Sequence, residues 1–473
     1  MRITLIGHAC ILCEVEGLNF LIDANLGETF REGTFSFKPD RRVHVDRLPK
    51  PDVVLISHRH RDHFDLRSLN LLNRDTTVVY PMDEIIAYAL KRLGFRNVIP
   101  VRPWEVLKFQ DTVQIVATPS CFATDNFGEC GFAIIADDGC FWDLADTVIS
   151  TEIVYTMEQL IEQIDVTFYP FQPMVQSGIA RNQPNSFPYN HYTEILRHLQ
   201  LLPTRSLVPS SCGYMVRGDN AWINHFKFPI TRERFAHDVA QIAPDINVLI
   251  ADPGDVVNIS KNSLSLTQQD ATNEFVQGIC SDSDQTIAFN PVMQIDPLVD
   301  KIRPGESSKE QHTEIQAFYE VCRQRIGNAD TAWKLWFDFG LTYEFAITYI
   351  DGRESLLIDF SQNPVYIGES KTKGPADFTM ECTATAFLGL VQGKLHFDHQ
   401  LGGAIRTYTC MYRVTSYGVQ NLKQLIPEYS EEYLDAFGLL RRLLNHDGQY
   451  EWRLIEYELD KIVSDNLSAG LDY

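Results

Sequence analysis

The sequence predicts an α/β fold for the N-terminal half of the chain, up to about residue 255. Short apolar runs recur there, and each has the length of a buried strand. These runs are Ile3–Ile6, Phe20–Ile22, Val53–Ile56, Thr77–Tyr80, Val113–Val116, Phe132–Ile135, Val166–Tyr169, Leu207–Val208 and Val248–Ile250. Helical patterns lie between some of them; MDEIIAYALKRLGF, for example, ends at Gly94, a residue that commonly stops a helix. Because 473 residues exceed one ordinary core, we expect more than one domain.

The second half of the chain reads differently. From Asn258 to about Ser308 the apolar pattern weakens, and polar residues and then Pro, Gly and Ser predominate. We therefore expect a first domain over residues 1–257, a linker over 258–310 and a smaller α+β domain over 311–425. The tail, residues 426–473, has helical periodicity, as in YLDAFGLLRRLLN.

Charge and composition narrow the function classes. The formal net charge is −22, from 63 acidic and 41 basic residues, so a nucleic acid backbone would be repelled on average. No segment is apolar and long enough to cross a bilayer. The first residues have the apolar pattern of a strand and lack the features of a signal peptide. The ten cysteines are scattered along the chain. We expect a cytoplasmic protein with reduced cysteines that acts on a small molecule and could form a homo-oligomer.

The stretch VVLISHRHRDHFD, Val53 to Asp65, carries the strongest chemical signal. Three histidines and an aspartate follow a buried strand within six residues, and these are ligands of zinc, iron and manganese. His58 and His60 could hold one ion while Asp62 and His63 hold a second, and a hydroxide bridging the two ions would be a nucleophile at neutral pH. The alternative is a solvated, charged turn, which the two interleaved arginines favour.

The H-x-H-x-D-H pattern after a strand resembles the metallo-β-lactamase superfamily, whose fold is a four-layer αββα sandwich. LIGHACILCEVEGLNFLIDA looks like the opening of the branch with the ascorbate-phosphate lactonases and N-acyl phosphatidylethanolamine phospholipases. The resemblance puts His8 and Asp23 near the metals. FWDLADT looks like the family's Gly-Asp-Thr turn, which makes Asp146, rather than Asp143, the bridging carboxylate. LVPSSCGY is similar to the lactamase-like part of CMP-N-acetylneuraminate hydroxylase, although the Rieske motifs of that enzyme are absent here.

Two positions depart from the family pattern. The third metal-binding histidine is replaced by Cys121, which is either a thiolate ligand or a buried cysteine. The last histidine is replaced by Ser211, a poor ligand, so that His191 or His225 would have to supply a donor from elsewhere. The resemblance therefore implies one or two divalent ions, zinc or iron, held by His58, His60, Asp62, His63, Asp146 and Cys121.

Three functions remain open at this point. A metal-dependent hydrolase would use a metal-bound hydroxide on an ester, lactone, amide or phosphodiester, with Asp62 and His8 as catalytic residues. An iron-dependent oxygenase of a biosynthetic pathway would use the same fold, and a non-catalytic binding protein would have a decayed site. We favour the hydrolase.

Two further expectations concern the substrate and the second domain. Arg181, His191 and Ser211 are the candidate substrate-binding residues, and the loops Glu28–Asp46 and Pro173–Asn190 would shape the pocket. DFTMECTATAFLGLVQGKLHFDHQLGGAIRTYT looks like a sterol-carrier-type domain, which implies an apolar groove; a plain packing or dimerisation domain is the alternative. His396 and His399 are too isolated to predict a metal site.

Overall fold

A computed structural model describes residues 1–468 except 32, 125–126, 162, 173–186, 212, 227–229, 262, 270–272, 280–295, 328–332, 371–375, 398–403, 410–411, 416–417 and 422–434. The described residues fall into two compact units. The first takes its residues from 1–174, 187–289 and 458–468, and the second takes them from 296–457.

The first unit contains an eight-stranded sheet with an antiparallel and a parallel half. Its strands, in spatial order, are β19 (Ser263–Thr267), β18 (Val256–Ser260), β1 (Arg2–Gly7), β2 (Cys10–Val15), β3 (Leu18–Ile22), β7 (Val53–Leu55), β8 (Thr77–Pro81) and β9 (Asn97–Val101). Neighbours from β3 to β9 are parallel, so the carboxyl ends of β3 and β7 meet at one edge of the sheet.

A seven-stranded sheet forms the other β layer. In order, its strands are β10 (Val106–Phe109), β11 (Val113–Pro119), β12 (Cys130–Ala136), β13 (Gly139–Asp143), β14 (Ile164–Pro170), β15 (Thr204–Ser210) and β17 (Asn247–Val248). Pairing is antiparallel up to β13 and parallel from β13 to β17. This sheet therefore also gathers the carboxyl ends of consecutive parallel strands at one edge.

The two sheets share an apolar core that contains Ile3, Phe20 and Leu55 from the first sheet with Phe132 and Phe168 from the second. Strand β13 demonstrates how the seven-stranded sheet is covered on both faces. Phe141 enters the core between the sheets, whereas Cys140 and Trp142 pack among residues of the outer helices. Because both faces are buried, the central residues Cys140–Trp142 of this strand are all apolar.

Helices lie in the connections between parallel strands of both sheets. They are α1 (Leu66–Asn70) and α2 (Glu84–Arg92) in the first sheet and α3 (Thr151–Leu160), α4 (Tyr189–Leu199) and α5 (Arg232–Ile242) in the second. Asp83 caps α2 by accepting hydrogen bonds from the amides of Ile85 and Ile86. The α/β class and the four-layer αββα sandwich are thereby confirmed.

Smaller elements complete the first unit. Strands β4 (Thr29–Phe30), β5 (Phe35–Phe37) and β16 (Tyr214–Val216) form a three-stranded sheet, and β6 (Arg41–Val43) pairs with β20 (Val276–Gly278). Two 3-10 helices cover Val45–Arg47 and Gly218–Phe226. The strand β19 lies within residues 258–310, the stretch predicted to be a linker, and it pairs with β18.

The second unit is α+β. Its five-stranded sheet has the order β23 (Tyr366–Glu369), β22 (Gly352–Asp359), β21 (Thr342–Tyr349), β24 (Phe378–Thr383) and β25 (Ile405–Thr409), and β26 (Tyr412–Thr415) pairs with β27 (Gly418–Asn421). Its helices are α6 (Ser308–Gly327), α7 (Lys334–Phe339), α8 (Ala384–Val391), α9 (Ala436–Leu444) and the first part of α10 (Tyr450–Ser468). The smaller α+β domain and the helical tail, both predicted, are present. Among the described residues, no helix combines the length and apolarity needed to span a membrane.

In the second unit, the Tyr450 hydroxyl contacts the backbone at the end of α8. Its buried hydroxyl lies 2.9 Å from the carbonyl oxygen of Leu390 and 2.8 Å from that of Leu395, and its ring stacks on Phe397. A Tyr450→Phe variant would leave these buried carbonyls without their donor, so we expect the free energy of unfolding to fall by about 1–3 kcal/mol. Urea denaturation measures it, with Tyr457→Phe, at an exposed position of the same helix, as the control. Equal losses in the two variants would contradict this role.

Candidate metal centre

The H-x-H-x-D-H loop begins directly beyond the carboxyl end of β7, and Asp23 directly follows the neighbouring strand β3. The loop runs from His58 to Asp65, which caps α1 by accepting a hydrogen bond from the Ser68 amide. Two adjacent parallel strands therefore deliver the histidines and the first carboxylate to one place.

Asp23 is fully buried and anchors the loop. Its Oδ1 accepts a hydrogen bond from the Ser57 amide at 2.7 Å, and its Oδ2 accepts one from the Ser57 hydroxyl at 2.7 Å. Nδ1 of His63 lies 2.6 Å from the same Oδ2. A carboxylate in this position holds the proton of the imidazole on Nδ1 and leaves Nε2 with its lone pair free. His63 is thus oriented as a ligand through Nε2.

His63 belongs to two groups of side chains close enough to hold a metal ion. The first, which we call the His8 cluster, contains His8, Asp62 and His63; the second, the His58 cluster, contains His58, His63 and Asp146. Nε2 of His63 lies 3.2 Å from Oδ2 of Asp146 and 3.8 Å from Oδ2 of Asp62. Nε2 of His8 lies 3.1 Å from the same oxygen of Asp62. The sequence predicts the pair Asp62 and His63, and the structure adds that His63 also lies next to His58 and Asp146.

His60 approaches the His58 cluster from one side. Its Nδ1 lies 2.8 Å from Nε2 of His58, so both nitrogens point into the same space. Arg59, between the two histidines, turns away and pairs with Asp83 at 3.0 Å while its guanidinium lies over the ring of Phe127. That arginine therefore does not fill the space between the imidazoles.

The electrostatics favour positive charge at the centre of the two clusters. Burial lowers the pKa of His63, but Asp146, Asp23 and Asp62 together raise it well above its usual value. Burial raises the pKa of Asp62, and the neighbouring His63 and His8 outweigh this and hold it well below its usual range. Burial, with the nearby His63 and His60, lowers the pKa of His58, which keeps that imidazole neutral, the form that binds metals.

These residues fit a divalent transition metal. Imidazole nitrogens and carboxylate oxygens suit zinc, iron and manganese. Nε2 of His63 is buried, and no described residue hydrogen-bonds to it, although two carboxylates lie at ion-pair distance. A cation shared with those carboxylates would satisfy this atom. The groups thus indicate divalent metal binding, without distinguishing zinc from iron.

Two buried carboxyl groups next to the clusters were not assigned from the sequence. Burial raises the pKa of Glu129 to about 7, and Asp146 adds to the effect. Burial and then Asp23 raise the pKa of Asp143 to about 8. Glu129 reaches the centre because its backbone pairs with that of His58, a long-range register with no signal in the local sequence. Asp143 had been set aside in favour of Asp146, which joins the His58 cluster.

Other predicted site residues lie elsewhere. Cys121 is exposed, in the turn after β11, and belongs to neither cluster, so the geometry gives no support to a thiolate ligand. His191 is exposed on α4, whereas Ser211 is buried beyond the end of β15. Arg181 and His399 lie outside the described residues, as does most of the loop Pro173–Asn190. His225 lies in the second 3-10 helix, and His396, in the second unit, pairs with Glu451.

The backbone around the clusters is unusual at four non-glycine positions. His8, Asp23, Ala145 and Ser211 have φ angles of 54°, 44°, 48° and 62°, in the left-handed region that favours glycine. Ala145 precedes Asp146, and its amide donates a hydrogen bond to Oδ1 of Asp143 at 3.2 Å. Such conformations persist only where the surroundings enforce them, and they concentrate at functional sites.

Comparison with known proteins agrees with this geometry. Residues 18–209 match the family described as "Beta-lactamase superfamily domain". This part of the chain is therefore similar to the domains of that superfamily. A "UPF0173 metal-dependent hydrolase" of Caldivirga maquilingensis is 22% identical over 260 residues, which are 54% of this chain and 96% of the relative.

Two further proteins are similar to parts of this chain. The mitochondrial "N-acyl-phosphatidylethanolamine-hydrolyzing phospholipase D" of Saccharomyces cerevisiae is 28% identical over 122 residues, 25% of this chain and 26% of the yeast protein. The crystal structure of an isothiocyanate hydrolase from Delia radicum gut bacteria is 20% identical, with a TM-score of 0.42, and the match covers 55% of this chain and 100% of that one.

Proposed function

We propose that this chain is a metal-dependent hydrolase that cleaves an ester, lactone, amide or phosphodiester bond of a small molecule. One observation carries the proposal: His63, oriented by Asp23, is shared by two clusters of buried imidazoles and carboxylates. A relative named as a metal-dependent hydrolase, matched over nearly its whole length, supports the same reaction type. An ion bound here would lower the pKa of a water molecule and polarise the bond under attack.

The residues of the chain have distinct tasks in this proposal. His58, His60, Asp62, His63 and Asp146 would hold the ions. Asp62 contacts His8 on one side and lies near His63 on the other, so it would also orient the attacking water through its oxygens. Asp23 and Ser57 keep the imidazole of His63 in the ligand tautomer.

The same proposal includes the family branch, the substrate-binding residues, the cellular location and the oligomeric state. The branch with the lactonases and phospholipases accounts for His8 and Asp23 next to the clusters, and a sterol-carrier-type second unit would bring an apolar ligand. Arg181, His191 and Ser211 remain candidates for substrate binding. A cytoplasmic location agrees with the free thiols of the described cysteines, and a homo-oligomer is a further proposal.

Elemental analysis of protein produced with both iron and zinc available tests the function. We expect divalent metal in the purified protein, together with cleavage of at least one member of a panel of esters, lactones, amides and phosphodiesters. A chelator should abolish this cleavage and re-addition of the metal should restore it. Metal-free protein that cleaves the substrate equally well would rule out the proposal.

Metal analysis of the same protein preparation distinguishes a hydrolase from an oxygenase. The ligand set is rich in carboxylate and imidazole, which also suit ferrous iron. Iron in the purified protein, with dioxygen consumption and no hydrolysis, would replace the hydrolase by an oxygenase on the same site. Zinc with hydrolysis in the absence of dioxygen would support the hydrolase.

A further inference from the structure

The position taken by the last metal-binding histidine in the resemblance is Ser211 in this chain. Ser211 is buried, and its hydroxyl makes no hydrogen bond with any described residue. A neutral hydroxyl is a weak ligand for zinc or iron. If the metal ion next to Asp62 and His63 is to be held by three protein groups, another donor must reach it.

His8 lies beside this turn although it is distant in sequence. The hydroxyl of Ser210 donates a hydrogen bond to the carbonyl oxygen of His8 at 3.3 Å, which joins the end of β15 to the end of β1. The side chain of His8 continues from there to Asp62, whose Oδ2 is 3.1 Å from Nε2. His8 thus connects the turn that carries Ser211 to the carboxylate of Asp62.

The imidazole of His8 is held in place before any ion binds. The side chain is buried, and its ring packs against Phe37, with centroids 5.4 Å apart, and against Phe30 at 6.5 Å. The backbone has φ 54°, a strained value for a residue with a side chain. Gly7, the residue before His8, lies so close to Arg41 that any side chain at position 7 would collide with it. This close packing restricts the backbone of the turn that carries His8. Rigid presentation of this kind suits a ligand.

We propose that His8 is a metal ligand that replaces the missing histidine and completes a second metal site with Asp62 and His63. This inference rests on the proposed function, because it concerns the same centre. It departs from the proton-transfer role that the sequence analysis gave to His8. A proton carrier needs access to the substrate or to solvent, whereas the buried His8 side chain has its Nε2 atom 3.1 Å from Asp62 within the His8 cluster.

Metal titration of the full chain tests the proposal. We expect the wild type to bind two Zn²⁺ or Co²⁺ ions, and His8→Ala to bind the second at least about 100-fold more weakly, since even outer-shell partners contribute about 10–100-fold. The visible spectrum of the Co²⁺ protein should lose the contribution of that ion. His237→Gln, an exposed histidine on α5, should match the wild type. Adding Ser211→His to His8→Ala should restore the second ion.

The results of the titration distinguish a metal-ligand role of His8 from a role in proton transfer. A His8→Gln variant that keeps both ions at wild-type affinity, with the wild-type Co²⁺ spectrum, would overturn the proposal, and lost turnover in that variant would return His8 to proton transfer. Either result leaves the proposed hydrolase intact. A wild-type protein that binds no ion would end both the hydrolase and this inference. Circular dichroism of each metal-free variant verifies that the fold is retained.

Discussion

Substitution of His63 by alanine is expected to abolish binding of the metal ion that this imidazole holds, and with it the activity. Nε2 of His63 faces Asp146 on one side and Asp62 on the other, and its one lone pair can bind a single ion next to either carboxylate. Loss of an outer-shell partner alone costs about 10–100-fold in affinity or activity, and loss of a direct ligand should exceed that range. Elemental analysis of the purified variant and a hydrolysis assay measure the two effects.

His191→Ala is the matched control for the metal content, because His191 is exposed on α4 and lies in neither cluster. It should retain the wild-type metal content. Removing His63 also removes a buried partner of Asp23, so the fold of the variant must be checked by its unfolding transition. A folded His63→Ala protein with full metal content would show that His63 is not a ligand.

Substitution of Asp23 by asparagine is expected to weaken metal binding by about 10–100-fold while all direct ligands stay in place. Asparagine keeps only one acceptor oxygen, so its NH₂ group faces either the Ser57 backbone amide or the Ser57 hydroxyl and Nδ1 of His63. Where its NH₂ group faces Nδ1, the imidazole has to carry its proton on Nε2, which is then lost as a ligand. Calorimetric titration with Zn²⁺ reports the affinity, and nitrogen NMR of the histidine reports the tautomer.

Asp165→Asn provides the comparison for this effect. Asp165 accepts a hydrogen bond from the amide of Cys140 at 2.8 Å and pairs with Arg205, outside both clusters. The Asp165→Asn variant therefore loses half-buried carboxylate interactions without changing any ligand. Equal affinities of Asp23→Asn and the wild type, with the Nδ1-protonated tautomer preserved, would show that Asp23 does not orient His63.

The parts of the centre that could be predicted from the sequence are those that lie close together along the chain. His58, His60, Asp62 and His63 follow one strand within six residues, so the strand alone brings them together. The α/β class could be predicted because buried strands such as β7 are continuous apolar runs, whereas the four-layer sandwich was expected from the family resemblance. Asp146 and His8 required the family resemblance, since neither is near the loop in sequence.

Features that depend on packing between distant strands could not be predicted. Glu129 enters the centre only because the start of β12 pairs with the loop after β7, where the Cys130 amide donates to the Ser57 carbonyl oxygen at 3.0 Å. A single glutamate in NFGEC gives no sign of this. The strand β19 is a different case, because it pairs with β18, the strand directly before it. It was predicted to be part of a linker since its residues alternate between exposed and half-buried at a sheet edge, where polar residues are tolerated.

The left-handed residues around the clusters have a bearing on how this protein can change. At His8, Asp23 and Ala145 the chain keeps a side chain where glycine would relax the backbone. At His8 and Asp23 the function needs the side chain, so substitution by glycine would relieve the backbone strain at the cost of the metal centre. Mutations that raise the thermal stability of this protein are therefore expected at other positions of the sandwich.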